Sequence, residues 1–344
     1  MRVATWIACA MLLGCGSGSD KTGGGDDTAD PDGGNGSGDG PELSSNAGPY
    51  FTSPMFWNRD VSGLPAASSS DATIAALRDE GGWGNSDKFQ IDFSIDVLTA
   101  DGSAPMRTFT KTGDFYSPDC DDAAMPVPSG GNVEGEDGYA CTGDGDCHLL
   151  VHDGDAGMLY EMWRANIEGD TFYGGCLAVW NERMAYTDTL RGDQCTSADA
   201  AGFPIAPLLF SADEVAAGEI DHAIRFILPN NRVKRGFVRP ATHGTNTTGV
   251  TDAPAYGVHL RLRADFPVDS LPSEGAKVVA RALQKYGMYH ADGGNIALTA
   301  QSDRHTVAKW DGLLAPQDLA ALKVEDFEVI DHGPMITLTL DCAR

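Results

Sequence analysis

Hydrophobic and polar residues alternate most regularly in two stretches of the chain, residues 88–99 and 256–266. The apolar rows are Phe89, Ile91, Phe93, Ile95 and Val97 in the first stretch, and Val258, Leu260, Leu262, Ala264 and Phe266 in the second. Strict alternation is typical of a strand with one buried and one wet face. We therefore expect the intervening polar residues of both stretches to face solvent.

Shorter apolar runs, broken by Gly, Pro and Asp, predict many further strands. The runs at 148–151, 158–167 and 174–180 follow one another closely, so we expect antiparallel neighbours. Residues typical of helix starts predict a few helices. These residues are Asp71, Ser211, Ser273 and Pro316. Together the elements predict a mainly β fold, a large antiparallel β-sandwich or jelly-roll-like domain with a few peripheral helices.

The N-terminus has the pattern of an export signal. Arg2 precedes an apolar run over 3–13 that is too short to span a bilayer, and Cys15 follows small residues as in a bacterial lipobox. We expect residues 1–14 to be a lipoprotein signal peptide and Cys15 to carry the lipid. Gly16, rather than Asp, follows the cysteine, which favours the outer membrane over the inner membrane. The alternative is ordinary cleavage nearby and full secretion.

Residues 15–40 consist mainly of Gly, Asp and Ser, with almost no apolar side chains. Such a segment buries too little apolar surface to offset its chain entropy, so we expect a disordered tether. No comparable linker interrupts residues 41–344, which we expect to form a single β-rich domain.

Six cysteines remain beyond the signal and the anchor: Cys120, Cys141, Cys147, Cys176, Cys195 and Cys342. An even number in an exported chain indicates disulfides. We favour a Cys176–Cys195 bond and local closure among Cys120, Cys141 and Cys147, with Cys342 fixing the C-terminal region. Zinc is less favoured because a CxxC spacing is lacking.

The net charge of −26 makes nucleic acid an unfavourable partner, because both molecules are strongly anionic. A membrane contact is expected through the lipid anchor alone. Acidic surfaces suit cations or neutral glycans, although solubility is the simpler explanation of the charge. We expect a monomer.

Several long segments resemble a broad family of exported bacterial proteins. They are, in order, FWNRDVSGLP, CHLLVHD, LYEMWRANI, CTSADAAGFPIAPLLFSADEVAAGEIDHAIRFILP, VRPATH, YGVHLRLRADFPV and ALQKYGMYHADGG. The resemblance covers about residues 51–330 and implies export and a shared fold. It carries no established activity and no catalytic residues.

Glu161 and Trp163 occupy the same face of a predicted strand, where a carboxylate beside an aromatic floor is typical of sugar hydrolysis. Glycoside hydrolysis needs a second carboxylate about 5 to 9.5 Å away, and Asp199 is the nearest candidate in sequence. The alternative is that Glu161 pairs with an arginine and Trp163 lies in the core.

Histidines and acidic turns supply further candidates. His148, His222 and His243 could act as acid or base with Glu161 or Asp199, or could bind a metal, but isolated histidines are usually structural. Two Asp-Gly-Asp turns, at 144–146 and 153–155, offer hard oxygens to calcium, with solvated turns as the alternative.

The basic row of the second alternating stretch, His259, Arg261 and Arg263, could bind a carboxylated sugar or phosphate, or pair with the chain's own acids. The chain lacks GxSxG, HExxH, P-loop and dinucleotide motifs, which disfavours the commonest hydrolase, zinc-protease and nucleotide-binding classes.

The sequence therefore predicts a surface-anchored lipoprotein that acts on or binds polysaccharide, as a glycoside hydrolase or lyase. The catalytic candidates are Glu161, Asp199, His243 and His148, and the substrate-binding candidates are Trp163, His259, Arg261 and Arg263. The alternative is a non-catalytic glycan-binding or structural lipoprotein of the cell envelope.

Overall fold

The first alternating stretch divides between two sheets. In the computed structural model, which describes residues 46–344, one strand covers Ile91–Ile95 and the next covers Val97–Thr99, with the buried Asp96 between them. The predicted signal peptide, the Cys15 anchor and the 15–40 tether lie outside the described residues. The described residues belong to one compact unit, Gly40–Arg344.

The strands and helices of the described residues are numbered here in chain order. The strands are β1 Ile91–Ile95, β2 Val97–Thr99, β3 Met106–Arg107, β4 Thr110–Lys111, β5 Met125–Pro126, β6 Leu149–Asp153, β7 Met158–Trp163, β8 Asn166–Glu168, β9 Thr171–Gly174, β10 Cys176–Asn181, β11 Ile224–Leu228, β12 His259–Leu262, β13 Met288–Gly293, β14 Leu298–Gln301 and β15 Phe327–Ile330. The helices are α1 Ser70–Asp79, α2 Gly84–Asp87, α3 Ala212–Ala217 and α4 Glu274–Lys285.

Strands occupy 23% and helices 17% of the structure, so the fold is mainly β, as predicted. The largest sheet has the order β1-β14-β11-β13-β12-β15. It is mixed, because β1 pairs with β14 and β11 pairs with β13 in parallel. The expectation of antiparallel sheets is thus wrong here, the jelly-roll arrangement is not confirmed, and no sheet among the described residues closes.

A second sheet has the order β10-β7-β6-β2. Its β6, β7 and β10 are antiparallel neighbours, as the spacing of their apolar runs predicts. Alternate residues of β7 face two different cores: Leu159 lies in the large core and Met162 in a smaller one. This sheet therefore separates the two cores, and side-chain alternation decides which core each residue enters.

The helix signals at Ser211 and Ser273 are confirmed. Ser211 Oγ accepts a hydrogen bond from the Glu214 backbone N–H at 3.3 Å, Glu214 accepts one from the Ser211 N–H at 2.8 Å, and Gly218 ends α3 with a φ of 89°. Ser273 caps α4. The segment after Pro316 forms turns instead of a helix. Within residues 46–344, no helix has both the length and the apolar character needed to cross a bilayer.

Three disulfides join all six predicted cysteines: Cys120–Cys176, Cys141–Cys147 and Cys195–Cys342. The local closure of Cys141 and the fixing of Cys342 agree with expectation, and disulfides are compatible with an exported protein. The Cys176–Cys195 pairing is wrong. Cys176 begins β10, which lies beside the backbone at Asp121, so Cys120 is its neighbour in space although it is distant in sequence.

Candidate functional site

Two adjoining cavities open between the sheets. The first, of about 370 Å³, is lined by the end of β7, the turn that contains Asp199, the segment 243–246 and the end of β13. The second, of about 350 Å³, is lined by residues of β1 and β11 and by the Cys141–Cys147 loop. Asp146, Asp292 and Gly293 line both cavities, so the two adjoin, and together they are called the groove.

Asp199 lies in a tight turn at the wall of the first cavity. Gly202 closes this turn with a φ of 80°, and a Cβ there would lie 2.1 Å from Thr242 Oγ1, so the position requires glycine. The Asp199 side chain is fully buried, and its Oδ1 accepts a hydrogen bond from Arg225 Nη2 at 2.6 Å. Its Oδ2 has no hydrogen-bond partner among residues 46–344. Burial raises the pKa of Asp199 to about 7, although Arg225 opposes the shift.

Asp292 approaches the same arginine from the end of β13. Its Oδ2 lies 3.8 Å from Arg225 Nη2, and 32% of its side chain remains exposed to the groove. Burial raises the pKa of Asp292 as well, against the pull of Arg225. Arg225 also donates to Thr299 Oγ1 at 3.0 Å, which fixes the guanidinium between the two carboxylates. The result is a carboxylate pair held at one guanidinium nitrogen.

Aromatic side chains also line the first cavity. Trp163 donates its indole N–H to Asp146 at 2.5 Å, and the Arg164 guanidinium lies 4.9 Å from its ring centroid. Tyr116 lines the cavity with 55% of its surface exposed. The cavity thus combines flat apolar side chains with acidic oxygens.

His243 joins Asp199 and Trp163 in the first cavity, as the sequence suggested. Its Nδ1 lies 2.9 Å from the Ala200 carbonyl, so that nitrogen carries the proton and Nε2 is an acceptor. Burial lowers the pKa of His243, which keeps the ring neutral. His243 can therefore accept a hydrogen bond from a ligand hydroxyl.

His148 lies in the second cavity, apart from His243. Its Nδ1 is 2.6 Å from Glu134 Oε2 and its Nε2 is 3.2 Å from the Ala198 carbonyl. Burial opposes protonation, but the Glu134 carboxylate outweighs it and raises the pKa of His148 to about 9. A protonated His148 donates at both nitrogens and supports the backbone next to Asp199. This assigns His148 a positioning role in place of the predicted acid or base role.

Glu161 lines neither cavity. It lies in the middle of β7, fully buried, and its carboxylate accepts hydrogen bonds from the backbone N–H groups of Ile205 and Ala206 at 2.8 Å and from the Trp180 indole at 3.0 Å. Burial raises its pKa to about 7. With its donors in place and no access to the groove, Glu161 is structural, and we withdraw it as a catalytic candidate.

The basic row of the second alternating stretch is also structural, because both faces of β12 are covered. His259 is buried, stacks on Tyr289 with ring centroids 4.0 Å apart and bonds the Tyr286 carbonyl at 2.7 Å; burial lowers its pKa to about 4. Arg261 is buried and pairs with Glu328 at 2.7 Å, and Arg263 lies 4.0 Å from the same carboxylate. His259 and Arg261 hold β12 in place, whereas Arg263, beyond the end of β12, keeps 40% of its side chain exposed. None of the three lines either cavity.

The metal candidates do not assemble into a common site. His222 pairs with Glu214 at 3.1 Å, far along the chain from the predicted calcium turns. In those turns Asp144 accepts from the Asp146 N–H and Asp153 from the Ala156 N–H, which are ordinary turn contacts. Among the described residues, the groups of three potential ligand atoms within 4.8 Å of one another each contain disulfide cysteines. Calcium binding stays a prediction.

No family model, curated protein or solved structure matches this chain. The resemblance to exported bacterial proteins therefore stays an expectation, and function must be argued from the groove itself.

Sequence reasoning missed Asp292, Arg225, Glu134 and Tyr116. A signal was present for two of them. Arg225 is the single charge inside the apolar run AIRFIL, which is typical of a buried, paired cation, and Asp292 precedes Gly293-Gly294 at the end of a strand. Glu134 and Tyr116 lie in irregular segments with no distinguishing pattern.

Proposed function

We propose that this protein binds a polysaccharide in the groove and hydrolyses its glycosidic bond with Asp199 and Asp292. The observation that supports the proposal is the carboxylate pair held at one guanidinium nitrogen, 2.6 and 3.8 Å from Arg225 Nη2, in the wall of a cavity with aromatic side chains. Glycosidases usually act through two carboxyl groups, and this pair supplies both. Attachment to the cell envelope through Cys15 and a monomeric state belong to the same proposal.

The two carboxylates have different environments, and this assigns their roles. Asp199 is the general acid, because its raised pKa of about 7 lets it hold a proton near neutral pH. Asp292, which is more exposed, is the base that takes a proton from water. As water attacks the anomeric carbon, the bond to the bridging oxygen breaks and Asp199 protonates the leaving oxygen. Asp292 keeps the proton from water.

The rest of the cavity suits a saccharide. Trp163 and Tyr116 offer faces on which a sugar ring can lie. His243 Nε2 and the side chains of Thr245 and Asn246 supply hydrogen-bond partners for hydroxyl groups. A hydrolase is favoured over a lyase that acts on acidic sugars, because Arg225, the cation nearest the pair, already serves Asp199.

The test is release of reducing ends from a panel of glycans. We expect Asp199→Asn and Asp292→Asn each to lower the rate by about 10²- to 10⁴-fold, the usual contribution of a general acid or base. The wild-type rate should fall as the pH rises through about 7, because Asp199 then loses its proton. Asp155→Asn, on an exposed turn away from both cavities, is the matched control.

Full activity in both Asn variants, with thermal unfolding unchanged, would contradict the proposal. A non-catalytic glycan-binding protein is the second candidate, and it is favoured by the complete burial of the Asp199 side chain under Arg225. It predicts saturable binding that Trp163→Ala weakens and no reducing ends from any glycan.

A further inference from the structure

The second cavity is strongly acidic, and its two cationic side chains already pair with carboxylates. Its walls carry Asp92, Glu134, Glu136, Asp144, Asp146 and Asp292. The cationic side chains there are Arg225, which pairs with Asp199 at 2.6 Å, and His148, which pairs with Glu134 at 2.6 Å. A ligand that enters this part of the groove therefore meets uncompensated negative charge.

We propose that the second cavity is a subsite for a cationic amino sugar, so that the substrate is a polysaccharide with free 2-amino groups. The inference rests on the proposed function and specifies its substrate class. An ammonium group is attracted by the summed negative charge of the wall and needs only one carboxylate as a direct acceptor. A uronic acid would be repelled there, and a neutral sugar would gain no electrostatic attraction.

A buried, unpaired polar group indicates independently that a ligand completes this groove. Arg225 lines the second cavity with 4% of its side chain exposed, yet its Nε has no hydrogen-bond partner among residues 46–344. In the first cavity, Asp199 Oδ2 is likewise buried without a partner in the described part of the chain. Native proteins rarely leave such groups unsatisfied. A sugar hydroxyl could accept from Arg225 Nε.

The spacing of the carboxylates favours ammonium groups over a single metal ion. Within residues 46–344, three ligand atoms converge within 4.8 Å only in clusters that contain disulfide cysteines. The groove acids are therefore spread along the wall instead of gathered around one point. Because Asp146 and Asp292 line both cavities, a chain of linked sugars can cross from one cavity to the other while its amines pass successive carboxylates.

The Cys141–Cys147 loop supplies the wall that determines this specificity. The disulfide closes a short loop that carries Asp144 in the second cavity and Asp146 at the junction. Asp146 also accepts the Trp163 indole N–H, so the acidic wall and the stacking platform are held together.

The test compares binding of two oligosaccharides of equal length by calorimetry, a glucosamine oligomer and its fully N-acetylated form. We expect the wild type to prefer the amino form at least tenfold in 50 mM salt, with the preference shrinking at high salt as screening increases. The double variant Asp92→Asn/Asp144→Asn should reduce the preference about tenfold. Asparagine keeps the turn contact that each aspartate makes with the backbone, so folding should persist.

The matched control is Asp153→Asn/Asp155→Asn, which removes the same charge outside both cavities and should keep the preference. Equal affinity for the two oligomers, tighter binding of a uronic oligomer, or an unchanged preference in the Asp92/Asp144 variant would overturn the inference. So would binding that requires added calcium. If the wild type prefers the amino oligomer but cuts neither oligomer, the proposed hydrolysis fails while the subsite stands. If it cuts neutral glycans and shows no preference for the amino oligomer, the subsite fails while the proposed hydrolysis stands.

Discussion

Two buried carboxylates with similar pKa values illustrate two different uses of burial. Burial raises the pKa of both Glu161 and Asp199 to about 7. Glu161 is surrounded by N–H donors inside the core, whereas Asp199 faces one cation, keeps Oδ2 unpaired and lines a cavity. A perturbed pKa marks both, so it does not identify a functional acid by itself. Spare hydrogen-bonding capacity and a position in a cavity wall separate them.

One face of β7 reaches both the core around Glu161 and the groove. Glu161 and Trp163 alternate onto the same side of β7, toward the large core. Glu161 sits mid-strand under Ile205 and Ala206, while Trp163 ends the strand, where the sheet gives way to the groove. Position along β7 therefore decides whether a residue on this face lies in the core, as Glu161 does, or lines the cavity, as Trp163 does.

The largest expected effect tests the structural side of this comparison. Glu161→Leu leaves three buried N–H donors without an acceptor, and each costs about 1 to 3 kcal/mol, so we expect the free energy of unfolding to fall by about 3 to 9 kcal/mol. Urea denaturation measures it. Glu219→Leu, on an exposed residue, should change stability by about 0.5 kcal/mol or less. A loss as small as that of the control would contradict the structural role of Glu161.

The next prediction concerns the groove wall. The Cys120–Cys176 bond joins two residues that are 56 positions apart in sequence. It fixes the backbone next to Asp119 and Tyr116, which line the first cavity. Replacing both cysteines with serine should lower the free energy of unfolding by about 4 kcal/mol, from loop-closure entropy. Saccharide affinity, measured where the variant is fully folded, should also fall. Unchanged affinity would show that this bond does not shape the groove.

The smallest predicted effect is a pH dependence from the pair that supports Asp199. The pKa of His148 is raised from 6.5 to about 9, so its contribution to stability is complete below pH 6.5 and is lost as the pH rises through about 9. The pKa of Glu134 is lowered, so its contribution is lost as the pH falls below about 4.5. Between pH 6 and 9.5 we expect the wild type to lose about 3 kcal/mol more stability than His148→Gln/Glu134→Gln. Parallel profiles for the two proteins would rule out the ion pair.

Local elements could be predicted from the sequence because their causes are local. The Ser211 and Glu214 capping box contains its own hydrogen bonds, and β6, β7 and β10 are joined by short turns. Residues far apart in sequence could not be placed in this way. The parallel pairing of β11 with β13 and the partners of Cys176 depend on which segments meet in space, and sequence spacing does not encode that.

The candidate site follows the same division. Asp199, Trp163 and His243 were identified from the sequence and line one cavity. Their partners Asp292 and Arg225 come from β13 and β11, whose pairing was not predicted. The alternation of β12 was correctly detected, but the sequence did not reveal that both of its faces are covered, and this is why the basic row was misassigned.

The Cys195–Cys342 bond has a consequence for when the groove is complete. It joins the beginning of the turn that carries Asp199 to a residue 147 positions later, and Leu340, two residues before that cysteine, lines the first cavity. A nascent chain that has not yet emerged as far as Leu340 therefore lacks part of this wall, whatever the state of its sheets. The wall is complete only once these last residues have folded beside the turn and the pair has oxidised, so competence to bind a ligand would report on the state of the Cys195–Cys342 bond.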